Sequence, residues 1–163
     1  MKPTYVGVLA ASLFIVFKMI LFFTNQQYTV LVKTPWVPLL MVVLIGIFYA
    51  INHYIRTSSQ YDWIVAFKKG VTVSLIAGVI AGIFVYVYYA FIDIDFLPLR
   101  QIEMYNQMKG EIAKEQMEKS DKSLKAAFSP RTFAIVTISA VNILGLIGSV
   151  IVALLGRITV RRK

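Results

Sequence analysis

Four apolar runs, each long enough to cross a bilayer, dominate the chain: Tyr5 to Thr24, Trp36 to Ile55, Val71 to Ile92 and Thr132 to Leu155. None contains an Asp or a Glu. At ~1.5 Å rise per residue, about 20 helical residues span a ~30 Å hydrocarbon core. A soluble helix of that length keeps one polar face, and these runs keep none. The sequence therefore reads as an all-α integral membrane protein with four transmembrane helices, organised as a single membrane domain over residues 1–163. The first run is expected to be retained rather than cleaved as a signal peptide. Only Lys2 supplies a positive flank, the apolar stretch is long, and Thr24-Asn25-Gln26-Gln27 offers no small-x-small cleavage site.

Charge then gives an orientation. The chain carries 17 Lys and Arg against 8 Asp and Glu, a net +9 that in a soluble protein would suggest nucleic acid. Here the charges are sorted by position along an apolar chain, which fits a lipid bilayer as partner and no nucleic acid. Arg56, Lys68 and Lys69 face only Asp62 between the second and third runs, and Arg157, Arg161, Arg162 and Lys163 close the tail without an acid. The first connection has Lys33 alone, whereas residues 93–131 hold seven acids and seven bases. By the positive-inside rule both termini and the second connection are cytoplasmic and the long third connection is extracytoplasmic. Trp36, Tyr86, Tyr88 and Tyr89 would form the outer aromatic belt, and Tyr54, Tyr61 and Trp63 the inner one. Ser59 with Asp62 resembles a capping box, so the third helix is expected to begin near Tyr61.

Residues 97–129 form the one sizeable polar region. Pro98 is expected to break the third helix and Pro130 to open the fourth. Strong helix formers and the acid-first pairs Glu115–Lys119, Glu118–Lys122 and Asp121–Lys125 predict a helical segment. Ile102, Tyr105, Met108 and Ile112 recur at helical spacing as an apolar stripe, continued less regularly by Met117, Leu124 and Phe128. Such a segment either covers the outer end of the bundle or docks a partner protein. Its balanced charge argues against recognition of anionic lipid, which needs a basic excess.

Gly70, Ser74, Gly78 and Gly82 recur every four residues in the third helix, and Gly145, Ser149 and Ala153 do so in the fourth. Lipid tails are as apolar as leucine, so membrane helices associate by close packing that small residues permit. The two rows either pack against each other within one chain or support a homo-oligomer. The pairs Gly7–Ala11 and Gly46–Ala50 are too common to interpret. Two polar residues lie at membrane depth. Asn142 is expected to act as interhelical hydrogen-bonding glue, and Lys18 to snorkel outward toward Asp93 or Asp95. His53 reads as a solvated interfacial imidazole, and Asp93-Ile94-Asp95 as an interfacial helix cap.

Absences narrow the function. Without cysteine there is no thiol nucleophile or Cys-based metal site, and one histidine forms no cluster. No span offers the intramembrane carboxylate that ion-coupled transporters use, and no P-loop, G-x-S-x-G or H-E-x-x-H occurs. The expectation is a protein without cofactor, metal or catalytic residues.

Several features resemble one family. Phe67-Lys68-Lys69-Gly70 opens the third helix, and Tyr88-Tyr89-x-Phe91-Ile92-x-x-Asp95-Phe96-Leu97 closes it. A Met/Glu/Lys-rich segment then ends in Phe128-Ser129-Pro130, followed by Gly145-Leu146-Ile147-Gly148 through Leu155 and a basic tail. This pattern resembles a bacterial domain-of-unknown-function family of small four-helix inner-membrane proteins. The resemblance carries over no activity or catalytic residue. The chain is also similar to proteins encoded beside a polyprenyl-phosphate type of family-2 glycosyltransferase, which implies an accessory role in envelope glycan metabolism. The leading expectation is a non-enzymatic membrane subunit that binds partner membrane proteins or itself. The alternative is a small oligomeric transporter or lipid-handling protein.

Overall fold

The structure is a computed structural model and describes residues 2–26, 36–58, 60–108 and 123–161. Its elements are α1 (Pro3–Phe23), α2 (Trp36–Thr57), α3 (Trp63–Val87) continued by a π-helical turn over Tyr88–Ile92, α4 (Phe96–Met108) and α5 (Pro130–Arg161). A short helical stretch over 123–127 precedes α5. No strand occurs among the described residues. Four stretches are long and apolar enough to cross a membrane: Pro3–Phe23, Val37–Thr57, Trp63–Ile92 and Pro130–Ile158. This is the make-up of a multi-pass membrane protein.

The helix ends follow from local chemistry. Pro3 opens α1 at a position whose N–H has no helical acceptor in any case. Asn25 closes α1 with φ 54°, while Gln26 N–H reaches Leu21 O at 2.9 Å and Asn25 N–H reaches Phe22 O at 3.1 Å. This is a Schellman termination with asparagine in the left-handed position. The third helix begins at Trp63 because Asp62 Oδ1 accepts the Ile64 N–H at 2.8 Å. Asp62 is itself the cap, and Ser59, the other half of the expected box, lies outside the described residues. Hydrophobicity alone placed the start at Val71. The helix runs through Lys68 and Lys69 because long basic side chains can leave an apolar helix for the water boundary.

Pro98 does not end the third helix. That helix closes at Asp93, whose N–H bonds Tyr88 O at 2.8 Å across the π turn. Pro98 instead sits in the first turn of α4, where a missing N–H is harmless. Pro130 opens α5 as expected, and Ser129 Oγ accepts the Thr132 N–H at 3.2 Å. The fourth helix continues past Leu155 to Arg161, and its closing arginines suit the negative end of the helix dipole.

The chain divides into two compact units, residues 1–81 with 137–163, and residues 82–136. In the first, α1 packs on α2, and both meet α3 at small residues. A Cβ on Gly7 would lie 2.8 Å from Val73 O, and one on Gly46 would lie 3.2 Å from Val6 and 3.3 Å from Val73. The core includes Phe14, Leu39, Ile47, Ile51, Val73 and Val141. Leu9, Val16, Ile45, Leu75 and Ile151 project outward, so these helices are apolar inside and out, as lipid-facing helices are.

The second unit is built around aromatic rings. Tyr89 stacks on Phe96 at 5.2 Å and meets Tyr88 and Phe133 edge-on at 5.0 and 5.5 Å. Tyr88 and Tyr89 are 1% and 3% exposed, so they are core residues and not members of an outer belt. Tyr86 remains outward-facing.

Candidate functional site

The two small-residue rows meet within the chain. A Cβ on Gly70 would come 2.8 Å from Ser149 Cβ, and one on Gly145 would come 2.6 Å from Ser74 Oγ. One on Gly78 would lie 3.3 Å from Val141. Four residues forward on α3 correspond to four back on α5, as antiparallel neighbours require. Ser74 and Ser149 are fully buried and bond their own helix, Ser74 Oγ donating to Val71 O at 3.0 Å and Ser149 Oγ to Gly145 O at 2.6 Å. They need no partner across the interface and act as small knobs. Ala153 is buried further along α5. Gly82 is buried too, in the second unit. The glycines of α3 and α5 in the first unit are thus filled by side chains of this chain.

Asn142 lies over Gly78, where a Cβ would meet its amide at 3.2 and 3.3 Å. Its Oδ1 is buried and has no hydrogen-bond partner. Within the chain its Oδ1 makes no interhelical hydrogen bond, and the amide packs against Gly78. Lys18 is 2% exposed and makes its contacts inside the protein.

Asp93 does sit at a helix end, but its carboxylate is not solvated. It is 5% exposed and accepts the Tyr88 hydroxyl at 3.1 Å. The π turn makes this possible by bringing together donor and acceptor five positions apart, which an α-helix would direct apart.

On α4, Ile102 is 55% exposed with Leu99 also outward, and Tyr105 is half-buried. Arg100 pairs with Glu103 and lies 5.8 Å from the Phe96 ring. Met108 closes α4 as described, and Ile112 and every member of the three acid-first pairs except Lys125 lie outside the described residues. Among the described residues no group of three or more His, Asp or Glu is placed to hold a metal.

A family model described as "Protein of unknown function (DUF4199)" matches residues 4–157. The chain belongs to the DUF4199 family. No curated protein and no solved structure matches it.

The DUF4199 match covers one cluster that sequence reasoning read only as an aromatic belt. Tyr61 donates its hydroxyl to Ala153 O of α5 and lies 3.0 Å from where a Gly156 Cβ would be. Tyr54 packs beside it at 6.2 Å, and its hydroxyl oxygen accepts the Asp62 N–H at 3.2 Å. Burial raises the Tyr61 hydroxyl above the ordinary tyrosine value, helped by Tyr54 and Asp62 and opposed by Arg157. The glycine that admits Tyr61 was the available signal. Gly156 sits beside a helix end rich in bases, where an apolar residue would serve equally well against lipid.

Proposed function

We propose that this DUF4199 protein is a non-enzymatic integral membrane subunit that binds partner membrane proteins through the exposed apolar face of α4. One observation carries the reading: Leu99 and Ile102 stand exposed three residues apart on a helix that is not one of the four membrane-length stretches. On a span lipid accounts for outward apolar residues; on a short polar helix outside the spans we read them as a docking face. The filling of Gly70 and Gly145 within the chain removes the small-residue rows as support for self-association.

In this reading the termini are cytoplasmic and α4 is extracytoplasmic, in a bacterial inner membrane. The resemblance to proteins encoded beside a glycosyltransferase makes such an envelope enzyme the first partner to test. The experiment is a mild-detergent pulldown of the tagged full chain beside its Leu99→Glu/Ile102→Glu variant. The expected result is a stoichiometric protein retained by the parent and lost from the variant, with unchanged melting. A parent that runs alone, or a variant that retains the same protein, overturns the reading.

The unpartnered Asn142 Oδ1 favours a second reading, a small oligomeric transporter or lipid-handling protein with a polar path beside α5. Water-soluble maleimide labelling of Asn142→Cys tests it, and complete protection in every condition removes it.

A further inference from the structure

Among the described residues, one end of the first unit gathers four cations around a single carboxylate, that of Asp62. Tyr54 from α2 and Tyr61 from the following turn form a two-ring platform, fixed by the Asp62 N–H and by Ala153 O. Lys69 Nζ of α3 stands 5.4 Å from the Tyr54 ring centroid, a cation–π distance. Arg157 follows Gly156, which abuts Tyr61, and its charge is felt at the Tyr61 hydroxyl. Arg56 and Lys68 are exposed nearby in sequence, at the last turn of α2 and in α3. Among the described residues none of these four cations lies in an ion pair. The one local acid, Asp62, already holds a helix N-terminus with Oδ1.

An excess of bases beside fixed tyrosines, where membrane-length helices end, matches the chemistry of a phosphodiester headgroup. The rings suit the headgroup layer, the ammonium and guanidinium bind phosphate oxygens, and the apolar outer faces of α3 and α5 continue beneath as a surface for acyl chains. We infer that Lys69 and Arg157, positioned by Tyr54 and Tyr61, form a binding site for the phosphate of an anionic phospholipid. The site is independent of the α4 surface and of any partner bound there.

The test uses the full chain carrying Trp36→Phe, so that Trp63, at the start of α3, is the only tryptophan. It is reconstituted in phosphatidylcholine vesicles doped with brominated phosphatidylglycerol or brominated phosphatidylcholine, and quenching of Trp63 reports the lipid beside it. Each basic contact to an anionic surface is worth roughly fivefold in affinity. The parent should therefore prefer phosphatidylglycerol by at least that factor. Lys69→Gln/Arg157→Gln should abolish the preference, and Lys69→Arg/Arg157→Lys should restore most of it, which separates charge from folding. Arg162→Gln/Lys163→Gln removes the same charge elsewhere and should leave the preference intact. No preference in the parent, or equal loss in the tail variant, overturns the site. Full displacement by millimolar inorganic phosphate would overturn the lipid assignment in favour of a soluble anion, and displacement by an acidic peptide would do so in favour of a protein.

Discussion

Ser74 of α3 fills the notch that Gly145 leaves on α5, its Oγ 2.6 Å from where a Cβ at Gly145 would stand. Both residues are buried, and the next contact along the helix pair reverses the roles, with Ser149 filling the notch at Gly70. Gly145→Ser should then destabilise the chain by ~1–3 kcal/mol, the usual cost of forcing atoms into a packed interface. The double variant Ser74→Gly/Gly145→Ser, which exchanges knob and notch, should recover most of that loss. Thermal melting in mild detergent reads both, and an undamaged single variant would refute the packing.

Tyr61→Phe removes the hydrogen bond to Ala153 O and should cost ~0.5–1.5 kcal/mol. The same change alters behaviour in base. The Tyr61 hydroxyl titrates above its unfolded value of ~10, so above that pH the unfolded chain releases a proton that the folded chain keeps. Its contribution is full below pH ~10 and declines as pH rises through the folded value. Parent and variant melting curves should converge in that alkaline window and stay parallel below it.

Asn142→Leu keeps side-chain size while deleting a buried oxygen that has no partner. Removing such a group is neutral or stabilising, so melting should stay level or rise by up to ~1 kcal/mol equivalent. A clear loss would mean that the amide is satisfied in the bilayer by something polar.

Tyr88→Phe withdraws a donor from the buried Asp93 carboxylate. The expected cost is ~1–3 kcal/mol. Tyr86→Phe, on an exposed tyrosine of the same helix, should change melting by less than ~0.5 kcal/mol.

Four membrane-length helices were legible because each depends on local composition: an apolar run without acids is a span wherever it folds. The start of the third helix was legible from Asp62, which placed it within two residues of Trp63, whereas hydropathy alone pointed to Val71 because Lys68 and Lys69 lower it without lowering helix propensity. The small-residue rows at Gly70 and Gly145 announced a close contact, but not with whom, since four-residue spacing describes one helix face and says nothing of the face opposite. Gly7 and Gly46 carry close contacts too, that at Gly7 at 2.8 Å, and looked ordinary for the same reason. The burial of Lys18 and of the Asp93 carboxylate was not legible because position along a helix suggests depth in the membrane, whereas burial depends on rotation about the axis. Phase decides that, and a π turn changes it.

The insertion at Tyr88–Ile92 has a consequence for the segment beyond it. Each helical residue turns the chain by ~100°, so one extra residue in the turn resets the heading of everything that follows. Deleting Ala90 would restore ordinary winding and swing the start of α4 about a quarter of the way round the axis. The direction in which Leu99 and Ile102 look is thus set upstream of α4, by the number of residues wound into the π turn.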